Sequence, residues 1–122
     1  MRLVVIESPY AGDVEANVAY ARQAMHDCIE RGEAPLASHL LYTQPGVLDD
    51  ALPLERMLGI EAGLDWGRHA DAIVVYVDRG ISKGMELGIA RARSRGQSVE
   101  FRAMEEWDRA DRPLNLPTTE SR

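Results

Sequence analysis

The stretch GISKGMELGIARARSRG, residues 80–96, sets a glutamate between two glycines, Gly84 and Gly88. Ser82 is a good N-cap, the residues after it carry a helix to about Arg95, and Gly96 reads as its stop. Glu86 then falls at the end of the first helical turn, where the helix dipole favours an ionised carboxylate. A glycine inside a helix costs up to ~1 kcal/mol against alanine, so two of them imply a close approach to this backbone. An accessible, ionised carboxylate has the chemistry of a nucleophile. The same residues also fit a surface acid that answers the dipole, with glycines that serve helix–sheet packing.

Other residues with usable chemistry are spread along the chain. Ser8, Tyr10, Ala11 and Gly12 lead into a first helix whose exposed amides could hold a phosphate. Against that, Pro9 has no N–H to offer and Asp13 would repel an anion. ESPYAG is neither a Walker loop nor a dinucleotide fingerprint. Ser82, Lys83 and Gly84 stand beside Glu86, where Ser82 and Lys83 could instead meet a phosphate or a sugar hydroxyl. Asp78 ends a strand next to them. His39 follows the second strand and fits either a contact to a base or a hydrogen-bonded structural residue. His26, His39 and His69 have no paired spacing, so no metal centre is expected. Cys28 reads as packing, Trp66 and Trp107 as core or interface, Asp49–Asp50 as a turn and cap.

The elements that must position these residues follow from hydrophobic pattern. Residues 2–7, RLVVIE, form a short β-branched run, a buried first strand. Residues 13–31 are helical, with Asp13 as N-cap, Val14, Val18, Ala21, Met25 and Ile29 at helical spacing, and Gly32 just past the end. APLAS, 34–38, is a weak second strand. Residues 39–52 have no clear period and read as a long connection, which in a small domain is more often functional than not. Residues 53–69 are helical, with Pro53 in the first turn and an apolar stripe of Met57, Ile60 and Leu64. ADAIVVYVD holds five apolar residues in succession, Ile73 to Val77, the mark of a central parallel strand buried on both faces. QSVEFR, 97–102, is a fourth strand.

The order βαβαβαβ predicts an α/β fold: a small parallel sheet of four to five strands flanked by helices, a flavodoxin- or Rossmann-like three-layer sandwich with strand order 2-1-3-4. Residues 1–102 make the domain; 103–122 read as a charged, partly mobile tail with a short helix around Glu105–Arg109. In such sheets the ligand sits at the carboxyl ends of the strands. That rule selects the loops at Ser8–Gly12, Ser38–Tyr42 and Asp78–Glu86, and puts Asp71 at the wrong end.

SKGMELGIARARSRG, preceded by ADAIVVYVD, resembles the catalytic segment of the nucleoside 2-deoxyribosyltransferase superfamily and of its hydrolytic relatives, the nucleoside 5′-monophosphate N-glycosidases. SPYAG is similar to that superfamily's first loop, and SHLLY with the following LDD resembles small relatives. The similarity spans most of residues 3–102, and its specific part is residues 84–88. The resemblance implies that Glu86 attacks the anomeric carbon and expels the base, leaving a glycosyl-enzyme for water or another base to resolve. It implies Tyr10 as the residue that orients the nucleophile; Asp78, by its place at the strand end, is the further catalytic acid expected. Ser8, Gly12, His39, Ser82 and Gly84 are the expected substrate contacts. Glu86 should open into a pocket shared with Tyr10 or Asp78. An aspartate that these enzymes carry on the helix before the third strand aligns with Gly63 here. Asp65, two residues on, lies about 200° round the helix.

A hydrolase or transferase acting on a nucleoside or nucleotide is therefore expected, without a cofactor. The second reading is a non-catalytic nucleotide-binding protein on the same scaffold, a sensor or sequestering protein, which Gly63 favours. A structural subunit is a third. A homo-oligomer, dimer or tetramer, is expected. The 122 residues carry 20 acids against 14 bases, net charge −6, which argues against binding polymeric nucleic acid. No apolar run approaches the ~20 residues of a membrane helix. A single cysteine and an opening segment unlike a signal peptide fit the cytoplasm.

Overall fold

A computed structural model describes residues 1–104. The elements, in chain order, are β1 (Arg2–Glu7), α1 (Val14–Glu30), β2 (Glu33–Leu36), α2 (Ser38–Leu41), α3 (Pro53–Gly67), β3 (Ala72–Tyr76), α4 (Lys83–Ser94) and β4 (Ser98–Arg102). The four strands pair in parallel in the order β2-β1-β3-β4, the expected topology. All five residues of β3 are buried, so helices must cover both faces of the sheet.

Alternation along the strands sorts the core into two halves. Val4, Ile6, Val74 and Tyr76 face α1, which meets them with Tyr20, Ala24 and Cys28. Val5, Ile73 and Val75 face α4, which contributes Met85, Ile89 and Ala92. Asp13 caps α1 by accepting from the Ala16 amide at 3.2 Å, and Gly32 just beyond that helix takes φ +80°. Ser82 caps α4, accepting from the Met85 amide at 3.3 Å.

Three details depart from the sequence pattern. The second strand begins one residue earlier than expected and ends at Leu36, because its register follows β1 from Arg2 opposite Glu33. Ser38–Leu41 close into a short helix, α2, where the pattern suggested a strand end and a plain connection. On α3, Met57 stands 59% exposed, outside the packed face. That helix docks instead through Gly59, Gly63 and Gly67, four residues apart. A Cβ on Gly63 would come within 2.8 Å of the Ser38 Cβ, and one on Gly59 within 3.3 Å of Leu48 Cδ1. Backbone-to-neighbour contact is thus what brings α3 down onto α2 and the connection after it. The expected short helix at 105–109 and Trp107 lie outside the described residues.

The sheet is tied across its width by charge. Arg102 of β4 reaches Glu33 of β2 with two hydrogen bonds of 2.7 Å, and Glu100 at 3.0 Å. Arg2 bonds both Glu33 and Glu100. The Arg102 hydrogen bonds hold the Glu33 carboxyl below its usual range, and Arg2 above all holds Glu100 down at about 2. Arg102 and Glu33 are both buried, so removing one strands the other. Glu33→Ala is expected to cost about 3 kcal/mol, the low end for a broken buried pair because Glu100 still faces Arg102. The readout is the urea midpoint at unchanged slope.

Candidate functional site

A cleft opens where the expected loops meet, at the carboxyl ends of the strands. The end of β1 supplies Glu7, Ser8 and Tyr10; α2 supplies Ser38 and His39. The connection after α2 contributes Tyr42, Thr43, Leu48 and Asp50. The outer turns of α3 form one wall with Glu55, Arg56, Gly59, Ile60, Gly63 and Leu64, and the start of α4 forms the other with Ser82, Lys83, Gly84 and Met85. The residue types are mixed: acids, bases, hydroxyls and one imidazole among apolar side chains.

Five expected site residues therefore come together: Tyr10 and the expected contacts Ser8, His39, Ser82 and Gly84. Ser8 is buried, and its hydroxyl shares a 2.6 Å hydrogen bond with His39 Nε2. Burial pushes the His39 imidazole down to about 4, so it is neutral at physiological pH. Its backbone carbonyl accepts from the Thr43 hydroxyl at 2.6 Å, which ties the connection to α2. Tyr42 is held from the other side, accepting from the Trp66 indole at 2.7 Å. Trp66 is half exposed and serves to anchor this wall.

Three expected residues do not join them. Gly12 is exposed at φ +100° in the turn before α1, outside the cleft. Asp78 is committed to the fold. It accepts from the Tyr20 hydroxyl at 2.6 Å and from the Met104 amide at 2.9 and 3.1 Å, tying the end of β3 to α1 and to the segment after β4. Glu86 is exposed and lies one residue beyond the lining stretch Ser82–Met85. The reason is helical phase. Met85 and Gly88 occupy the buried face of α4, and Glu86 is turned about 200° away from Gly88.

Beside Asp50 and Glu55, the carboxyl that enters the cleft from the sheet itself is Glu7, which the strand pattern had hidden as the polar end of a buried run. The glycine opposite it was a usable signal. A Cβ on Gly88 would lie 2.6 Å from the Glu7 Cδ, so Glu7 is the group whose close approach the two-glycine helix implied. Burial pushes the Glu7 carboxyl up to about 8. Gly63 is explained as well: with Ser38 packed on its backbone, a side chain there has no room. Among the described residues no group of three metal-ligating side chains occurs, and no helix is long and apolar enough to cross a membrane.

Fold and cleft together define a four-stranded parallel α/β domain with a cleft of mixed polar and apolar lining at its strand ends. The chain belongs to the family described as a domain of unknown function (DUF7768), whose model matches residues 2–102. No curated protein matches it. Among solved structures it is similar to a Clostridium botulinum CMP N-glycosidase, BcmB, at 14% identity and a TM-score of 0.48, covering 90% of this chain and 75% of that one.

The two perturbed groups of the cleft give opposite pH dependences. Glu7 in the folded chain holds a proton that the unfolded chain releases above about 4.5, so its contribution to stability is full below that value and is lost as pH rises through about 8. His39 stays neutral where the unfolded chain protonates, so stability falls as pH drops from about 6.5 to about 4. Chemical denaturation across pH is expected to show highest stability between about 4.5 and 6.5. Glu7→Gln should flatten the alkaline limb, and His39→Asn should draw the maximum toward about 4.5, with the Glu33 and Glu100 pairs keeping the fall below it.

Proposed function

We propose that this cleft binds a nucleoside or nucleoside 5′-monophosphate and acts on its N-glycosidic bond, with release of the base to water ahead of transfer to a second base. The observation that carries the reading is the convergence, at the carboxyl ends of a parallel sheet, of Ser8, Tyr10 and His39 with the opening residues of α4. Ligands of such sheets bind there. Hydroxyls and a neutral imidazole suit the hydroxyls of a sugar, and Lys83 and Arg56 suit an anionic group at the mouth. The resemblance of SKGMELG to deoxyribosyltransferases and monophosphate N-glycosidases supports the same bond. The reading requires no cofactor.

Glu86 carries the nucleophile's role by resemblance alone. Its exposure favours a mechanism that does not run through it. A non-catalytic nucleotide binder is the second reading, favoured by Gly63, where the acid of the resembled enzymes has no space. The exposed apolar side chains Leu54, Met57 and Leu58 on α3 support the expected homo-oligomer.

The test is a panel of nucleosides and 5′-monophosphates, with free base followed by chromatography. Release from at least one member is expected, and Glu86→Gln should keep that release within about threefold of the parent chain. A loss of 10²-fold or more, the scale of a missing catalytic group, would return the nucleophile to Glu86. Tight binding without release from any member would establish the binder.

A further inference from the structure

Glu7 is the last residue of β1, and it shares the α4-facing side of the sheet with Val5. Its neighbour across the ladder is Val75, a buried apolar residue of β3. Above it lies the bare backbone of Gly88, so close that any side chain there would displace the carboxyl. Met85, one turn earlier on the same face, is also buried. The carboxyl is therefore walled by apolar groups and open toward the cleft. Among the described residues it has no hydrogen-bond or ion-pair partner.

Charged and titratable groups do line the same cleft. His39 comes from α2, Asp50 from the connection, Glu55 and Arg56 from α3, and Lys83 from α4. Tyr10 follows β1 itself, and Tyr42 follows α2. None of them is the cause of the Glu7 shift, which comes from burial alone. A carboxyl in such surroundings keeps its proton at neutral pH and has it to give.

The geometry points to Glu7 as the general acid of this site, held in place by Gly88 and aimed at the nitrogen through which the base departs. This rests on the N-glycosidic reading above. As the C1′–N bond breaks, its electron pair passes to the base nitrogen, which takes the Glu7 proton. Water forms the new C1′–O bond, and its proton returns to the Glu7 carboxylate. The sum is hydrolysis, with water as the only co-reactant. Gly88 is a positioning residue: it touches no substrate and acts through the place it leaves for the carboxyl.

Two measurements on the full chain test this. The first needs no substrate: carbon-detected NMR of side-chain carboxyls labelled at glutamate, with the Glu7 signal assigned by its loss in Glu7→Gln. It is expected to titrate near 8, and a titration in the ordinary carboxylate range overturns the inference even where base release is found. The second is the pH profile of kcat/KM for whichever panel member releases its base. The profile should fall above about 8, the point at which Glu7 loses its proton. Glu7→Gln should lower kcat/KM by about 10²- to 10⁴-fold at neutral pH and abolish that limb. Gly88→Ala keeps the carboxyl but moves it. A loss of about 10²-fold in kcat, with a shifted limb and an intact circular-dichroism spectrum, is the expected result. Release that is indifferent to Glu7→Gln overturns the catalytic role. Absence of release across the whole panel overturns the glycosidic reading and the catalytic role with it, and the carbon titration then still decides whether Glu7 holds its proton.

Discussion

Burial of β3 on both faces is the constraint from which the rest of the molecule follows. Ile73 and Val75 point one way and Val74 and Tyr76 the other, and neither set tolerates water. Each face must be roofed by a helix, and parallel neighbours can be reached only through crossovers. The chain therefore delivers every strand's carboxyl end, and every loop after it, to the same rim. A site at that rim is a consequence of connectivity before any side chain acts in it.

Close approach at glycine then decides what the rim contains. On α3, Gly59 and Gly63 let the helix settle onto Leu48 and Ser38, which draws α2 and its histidine inward. On α4, Gly88 leaves the space that the Glu7 carboxyl fills. In both cases a missing Cβ trades helix propensity for proximity between the helix backbone and a side chain of another element. Charge organises the opposite part of the molecule differently. Arg2, Glu33, Glu100 and Arg102 form a satisfied network that joins the edge strands β2 and β4 across the α1-facing side of the sheet. Glu7 stands outside that network. The contrast separates acids that hold the fold from the strand-end acid that faces the cleft from a buried position.

The elements were legible in sequence to the extent that they repeat. The apolar run of β3, the Asp13 and Ser82 caps, and Gly32 and Gly96 beyond their helices each report a local rule, and the order 2-1-3-4 follows from the βαβ alternation. Ser8, Tyr10, His39, Ser82 and Gly84 could be gathered in advance because the strand-end rule depends only on connectivity. Glu86 shows the limit. A motif records which residues are adjacent in the chain, but which face of α4 is buried was decided by Met85, Ile89 and Ala92 against the sheet. Asp78 shows it again, since its bonds to Tyr20 and Met104 span separations that no local pattern contains.

By itself, then, the sequence determined the class of fold, the direction of the four described strands and the end of the sheet where the cleft opens, because these depend on periodicity and on the handedness of short connections. Only the tertiary structure decided which carboxyl is buried there. Glu7 and Gly88 are far apart in the chain, and the environment of a buried acid is set by what surrounds it in space. Val75, Met85 and the bare backbone of Gly88 bury the Glu7 carboxyl, while Glu86, set between Gly84 and Gly88, faces water.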